Sequence, residues 1–380
     1  MIERYLNPEI NSIWDDQNKF DTWKLVQEKY VETLEELDVA ENGIAKKINQ
    51  SVVQKDEVYK QEEITNHDLA SFVDILQKKV GEGSNWIHYG LTSSDIVDTA
   101  NSVLIMQSLD YVKDLVNDLL STLQEQALQE KDTLIIGRTH GVYAEETFLG
   151  NIFGNWHLEV ARGLNRLENS KNNISFGKLS GPVGNHSVVT SEMEKLTLEK
   201  LNLKPEQFAN QIVSRDRYAE VVSSLGILAT TYERIATNIR SYQRSEISEM
   251  FESFKDGQKG SSAMPHKKNP IGSERITGLA RIMRSYVSTS LENMVLWNER
   301  DISNSSVERI MLPDAFHLIS FMSIELNSIL KHLVINYEQI NLNLEDAKNK
   351  SVSQKYLSYL VNNGVDRDTA YRKIQEEIFN

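Results

Sequence analysis

The chain has 380 residues, 40% of them apolar, and a formal net charge of −14. That length can bury a large core and suggests two or three domains, while the acidic balance argues against a general nucleic-acid or membrane-surface binder, which normally carries a basic excess. No cysteine is present, so disulfides and thiolate metal sites are excluded and the reducing cytoplasm is the easiest compartment to accept.

The N-terminus, Met1-Ile2-Glu3-Arg4-Tyr5, lacks an apolar signal core, and no apolar run approaches the roughly 20 residues of a membrane span. The expectation is a soluble, cytoplasmic protein. Prolines fall at 8, 182, 205, 265, 270 and 313, leaving long stretches in which nothing need break a helix. His88-Tyr89-Gly90-Leu91-Thr92-Ser93-Ser94-Asp95 packs hydroxyls against a helix start, where they cap free N–H groups and where an anion is equally welcome. Ile105, Leu109, Val112, Val116, Leu119 and Leu123 then mark one face of a long helix. After the apolar run Leu134–Ile136, Gly137-Arg138-Thr139-His140-Gly141 sets His140 between glycines before another helical stretch, and the reading is a helix entrance. A histidine there can give or take a proton near neutrality; a lone histidine is more commonly a cap or the partner of a buried carbonyl.

Tyr218, Val221, Leu225, Leu228, Tyr232, Ile235, Ile239 and Tyr242 predict a second long helix. Gly260-Ser261-Ser262-Ala263-Met264-Pro265-His266-Lys267-Lys268-Asn269-Pro270 forms a glycine-entered, proline-stiffened loop. There a serine hydroxyl can act as a base if Lys267 and loop N–H groups stabilise its alkoxide. Ile276, Leu279, Met283, Val287, Leu291 and Met294 predict a third helix. Arg300-Asp301-Ile302-Ser303-Asn304-Ser305-Ser306-Val307-Glu308-Arg309 mixes arginine forks and hydroxyls that suit a phosphate, although a solvated loop has the same composition. A fourth long helix is expected within 314–345 and a last one at 366–379. No comparable strand alternation appears, so the predicted fold is mainly α, a bundle of long helices. Their apolar surface exceeds what one bundle covers, which predicts self-association.

The Gly260–Pro270 string resembles the signature of the fumarase/aspartase superfamily of lyases, which release fumarate from a substituted succinate. Its His-Lys-Lys-Asn-Pro form is most similar to the adenylosuccinate lyase family. The resemblance runs from Arg4-Tyr5 to Arg309. It implies three helical domains, divided as 1–93, 94–345 and 346–380, with the third short where relatives carry several helices. It also implies a homotetramer whose active sites are each shared among three subunits. The expected reaction is cleavage of adenylosuccinate to AMP and fumarate, together with the related succinyl-carboxamide ribotide step of purine synthesis.

In that family the first serine of the pair takes the Cβ proton, which places the base on Ser261. The Arg-Thr-His-Gly histidine protonates the leaving nitrogen, which places the acid on His140, with Thr139 beside it. Thr92 and Ser93 are expected to hold the succinyl carboxylates, with His88 nearby. Lys267, Asn269 and Ser262 face the charge that develops. Arg4, Tyr5, Gln211, Arg300, Ser305 and Arg309 match nucleotide and phosphate contacts. His67, in Asn66-His67-Asp68, helps orient the substrate, and Glu274 supports His67 or the loop lysine.

The match has departures. Asn66 stands where relatives commonly have arginine, and Arg275 where asparagine usually follows the glutamate; Arg275 is expected to replace part of the missing charge. Val142-Tyr143-Ala144-Glu145-Glu146 replaces the usual continuation after the histidine motif. No metal or cofactor is expected, since the histidines at 67, 88, 140, 157, 186, 266, 317 and 332 show no ligand spacing. Argininosuccinate lyase, fumarase and aspartase would share the loop without needing a phosphate grip, and a non-catalytic scaffold would not need Ser261, His140 and Lys267. Gly257-Gln258-Lys259-Gly260-Ser261 lacks Walker spacing, which sets aside an NTPase.

Overall fold

The computed structural model describes the backbone of residues 1–254, 257–258, 260–261 and 263–379, and their side chains except at 349, 378 and 379. In chain order the helices are α1 (Pro8–Trp14), α2 (Asp16–Glu36), α3 (Ile44–Gln50), α4 (Lys55–Thr65), α5 (Asp68–Val80) and α6 (Ser93–Gln129). A hairpin, β1 (Leu134–Thr139) and β2 (Val142–Phe148), follows. Then come α7 (Leu149–Ile174), α8 (Ser191–Lys200), α9 (Arg215–Tyr242), α10 (Ile271–Glu292), α11 (Ser303–Lys331), α12 (Tyr337–Ser351), α13 (Ser353–Asn362) and α14 (Arg367–Phe379). The fold is mainly α, as the periodicity predicts. Among the described residues no helix is long and apolar enough to cross a membrane.

The contacts divide the chain into two units: residues 1–115, 163–229 and 281–322, and residues 116–162, 230–280 and 323–380. The boundary passes within α6, α7, α9, α10 and α11. In the first unit, Phe20, Trp23, Tyr30, Leu69 and Phe72 form an aromatic and aliphatic core, with the Phe20 and Phe72 rings stacked at 6.0 Å. Asn7 starts α1 by accepting the Glu9 and Ile10 N–H groups at 3.0 and 3.1 Å, with Pro8 at a position whose N–H has no helical partner to lose. The second unit holds the β1–β2 hairpin and α12, α13 and α14.

The helices α6 and α9 bury the faces read from sequence. Ile105, Leu109, Val112, Val116, Leu119 and Leu123 have no exposure, nor do Val221, Leu225, Leu228, Tyr232, Ile235 and Ile239. Each such side chain removed from water contributes about 1.5–3 kcal/mol, more than helix propensity supplies per residue. On α10, Ile276 and Met283 are buried while Leu291 is half exposed, and Met294 lies beyond the helix end and is exposed.

Three local expectations are corrected. The stretch after Leu134 is a β-hairpin rather than a helix entrance, with Thr139 opposite Val142. His140 and Gly141 form its two-residue loop with φ of 55° and 80°, the left-handed pair that matches hairpin twist and that glycine adopts without cost. Ser303–Arg309 lies in the opening turns of α11 instead of a loop, because the Asp301 carboxylate accepts the Ser303 N–H at 2.9 Å and starts the helix. Finally, Pro313 lies inside α11, where it leaves one carbonyl without its helical donor, and the chain turns between Lys331 and Tyr337, so that α11 and α12 replace one helix across 314–345.

Candidate active site

In the first unit a cleft of about 490 Å³ collects residues from five separate stretches of sequence, one of them running from Trp14 to Trp23 across α1 and α2. His67 and Asp68 come from the start of α5, Thr92 and Ser93 from the start of α6, Gln211 from the loop before α9, and Arg300, Ser305 and Arg309 from the entry to α11. The start of a helix as long as α6 presents free N–H groups and the positive end of its dipole to the cleft. Such a helix start favours an anion.

His67 caps α5. Its Nδ1 accepts from the Ala70 N–H at 3.4 Å, so the proton of the neutral ring sits on Nε2, 3.4 Å from the Ser93 hydroxyl. Thr92 is held from below: its N–H donates to Asp95 at 2.8 Å, and Asp95 forms a fully buried ion pair with Lys178, whose ammonium also donates to the Gly181 carbonyl at 3.0 Å. Burial pushes the Asp95 carboxyl upward against the pull of Lys178. At the opposite wall, Arg300 donates to Gln211 at 3.1 Å and to Ser94 at 3.4 Å, and through Nε to Asn304 at 3.2 Å. Burial draws the Arg300 guanidinium down from its usual value, with the Asp98 charge opposing. Arg309 donates to Ser305, one turn before it, at 3.4 Å and to Asp68 at 2.6 Å.

Sequence reasoning missed the group beneath this wall. Arg215 is buried and donates two bonds to Asp98, at 2.5 and 3.0 Å, and two to Glu308, at 2.8 and 3.0 Å. Asp98 also accepts the Val213 N–H at 2.8 Å, and Glu308 accepts from Asn293 and Asn304 at 3.0 and 3.1 Å. The network ties α6, α9 and α11 together directly behind Arg300. Asp98 and Glu308 have polar neighbours at helical spacing, Asp95, Asn101 and Ser102 for the first and Asn304 and Ser305 for the second, so the sequence does not single them out.

Other predicted residues of this unit lie elsewhere. Arg4 is exposed on a single 3-10 turn, and Tyr5 packs edge-on against Phe321 at 5.0 Å. Asn66 ends α4 in the left-handed conformation, φ 53°, which asparagine tolerates better than arginine. His88 lies behind the cleft, bound through Nδ1 to the Gln27 amide at 3.0 Å; burial, then the His67 charge, lowers it to about 4.

In the second unit, Thr139 and His140 are exposed at the hairpin tip. The hairpin is anchored one residue earlier, where Arg138 makes two 2.8 Å bonds to the fully buried Glu249, itself bonded by Asn343 at 2.8 Å. In the signature loop the Ser261 hydroxyl oxygen accepts from the Ala263 and Met264 N–H groups at 3.3 and 3.1 Å. The Asn269 amide donates to the Gly260 carbonyl at 2.8 Å, and a Cβ at Gly260 would lie 2.0 Å from the Lys267 carbonyl oxygen. Lys267 is exposed. Glu274 and Arg275 sit in the first turns of α10, and Arg275 pairs with Glu325 at 2.9 Å. Ser262 lies outside the described residues.

A family model described as a lyase matches residues 18–283. A crystal structure of a fumarate lyase from Mesorhizobium sp. BNC1 shares the fold, with a TM-score of 0.89 at 20% identity over 99% of this chain and 86% of that one. The fold and the matched family define a helical lyase. Among curated proteins, the adenylosuccinate lyases of Aquifex aeolicus and Thermotoga maritima are each 42% identical over 99% of this chain and 87% of their own length, and that of Bacillus subtilis is 40% identical over the same shares. The chain belongs to the adenylosuccinate lyase family.

Proposed function

We propose that the protein cleaves adenylosuccinate to AMP and fumarate, and that the same machinery accepts the succinyl-carboxamide ribotide of purine biosynthesis. The observation that carries the chemistry is the Ser261 hydroxyl with two backbone N–H groups directed at its oxygen. Those donors stabilise negative charge on Oγ, as donors aimed at an oxyanion do, where each is worth roughly 10²–10³ in rate. As alkoxide, Ser261 removes the proton on the carbon next to a succinyl carboxylate. The electron pair left on carbon is delocalised into that carboxylate, then forms the C=C bond of fumarate as the C–N bond breaks. His140 delivers a proton to the departing nitrogen, so the proton lost from carbon is matched by one gained on AMP.

Thr92 and Ser93, at the positive end of α6, receive the carboxylates. Arg300, Ser305 and Arg309 receive the phosphate, with Gln211 held against Arg300 and with Arg4 and Tyr5 as further nucleotide contacts. His67 orients the substrate, Lys267 and Asn269 supply charge and a donor at the signature loop, and Glu274 supports the lysine. Four chains assemble around the long helices and share their active sites; the half-exposed Ile282 and Leu291 of α10 and the exposed Ile310 of α11 supply apolar surface for that contact. The functional division is 1–93, 94–345 and 346–380, in a cytoplasmic enzyme.

The test is to follow AMP and fumarate from adenylosuccinate with purified protein, with Ser261→Ala as the control. Equal yields of both products, absent in the variant, are expected. Release of fumarate from argininosuccinate, aspartate or malate instead would replace the substrate assignment.

A further inference from the structure

Residues 243–252 connect α9 to the signature loop, and two of their side chains reach across the loop to its far end. Gln243 accepts the Glu252 N–H at 3.0 Å and donates from Nε2 to the Lys268 carbonyl at 3.0 Å. The Glu252 carboxylate accepts the Gly272 and Ser273 N–H groups at 3.1 and 2.6 Å. These belong to the free donors of the first turn of α10, where a carboxylate meets both unpaired N–H groups and the helix dipole. Asn269 bonded to Gly260 adds a third rung above them. The neck of the loop is therefore tied at three levels, and only the lower two connect it to the helices on either side.

We propose that Gln243 and Glu252 are positioning residues for Ser261: they hold the two ends of the loop at a fixed separation, and this keeps the Ala263 and Met264 N–H groups on the Ser261 oxygen. Closing a loop of this length costs conformational entropy that ties at its two ends help to offset. The hydroxyl's donors lie two and three residues along the same loop, so a change in loop shape separates them from it. The inference rests on the role proposed above for Ser261.

Gln243→Met removes both amide bonds with little change in shape, and Glu252→Gln removes the charge and one acceptor. In the full-length protein each is measured for kcat and KM with adenylosuccinate, for backbone hydrogen exchange across 260–273, and for thermal unfolding. The expected result is faster exchange confined to 260–273, a fall in kcat of about tenfold or more, and a KM within about twofold of wild type, as loss of transition-state stabilisation alone gives. Unchanged exchange, or faster exchange with unchanged kcat, overturns the proposal. So does a loss of activity that follows a lower unfolding temperature with exchange raised throughout the chain. A wild-type protein that fails to turn over adenylosuccinate sinks the reading of Ser261 itself, while the exchange data still report whether the neck is tied.

Discussion

Arg309 donates to Asp68 at 2.6 Å across 241 residues of sequence, so one cation of the proposed phosphate site already has an anionic partner. A phosphate arriving at Arg309 competes with that carboxylate. Because the Arg309 side chain is 59% exposed, the pair is screened by water and is worth about 1 kcal/mol or less. Asp68→Asn keeps an acceptor at the position while removing the competing charge. Calorimetric titration with AMP is expected to show binding tighter by about two- to fivefold, with little change in unfolding temperature.

Arg215 is the opposite case. It is buried between two carboxylates, and Arg215→Met leaves Asp98 and Glu308 without a counter-charge. Removing one partner of such a buried group costs about 3–5 kcal/mol, and urea unfolding should show a loss of that size. Loss of the network also releases the stretch before α11 that carries Arg300, so the surviving folded fraction should bind AMP more weakly.

His88 supplies a pH dependence. In the folded protein it titrates near 4, against 6.5 unperturbed, because protonation charges a ring held away from water. Between those values the unfolded chain binds a proton that the folded chain does not, so stability rises with pH across the window and is lost as pH falls from 6.5 toward 4. The loss contributed by this group is on the order of 3 kcal/mol. His88→Asn, which suits the local φ of 64°, should flatten that part of the profile when urea midpoints are compared from pH 7 to pH 4.5.

Gly260 tests the uppermost tie of the loop's neck and leaves those of Gln243 and Glu252 in place. Gly260→Ala sets a methyl group against the Lys267 carbonyl at 2.0 Å, which forces the two strands of the loop apart and breaks the Asn269 rung. Turnover is expected to fall at least tenfold, as small displacements of reacting groups do, while calorimetry shows an unfolding temperature close to wild type.

The long helices were legible because burial imposes one period on them: every residue of the 105–123 face and nearly all of the 218–242 face is inside. The cleft was legible to the extent that its residues came in clusters, at 92–93 and 300–309. What the sequence concealed has physical reasons. The His140-Gly141 hairpin lacks the Asn-Gly or Asp-Gly turn that usually marks one, and its strands, 134–139 and 142–148, show no alternation of apolar and polar residues. Arg215, Asp98 and Glu308 were missed because their partners lie 117 and 93 residues away; only folding brings them together. Asn66 looked like a lost arginine, yet its backbone needs a left-handed cap there.

The stretch from Gln243 to Glu252 fastens the hairpin of His140 through Glu249 and the loop of Ser261 through its two ends. Between these anchors, Arg244, Ser245 and Glu246 face water. Arg244 pairs with Glu246, and the number of residues in the segment is fixed, since one more or fewer would put Glu249 and Glu252 out of phase with their partners. Across descendants of this chain, such a segment has no freedom to change length.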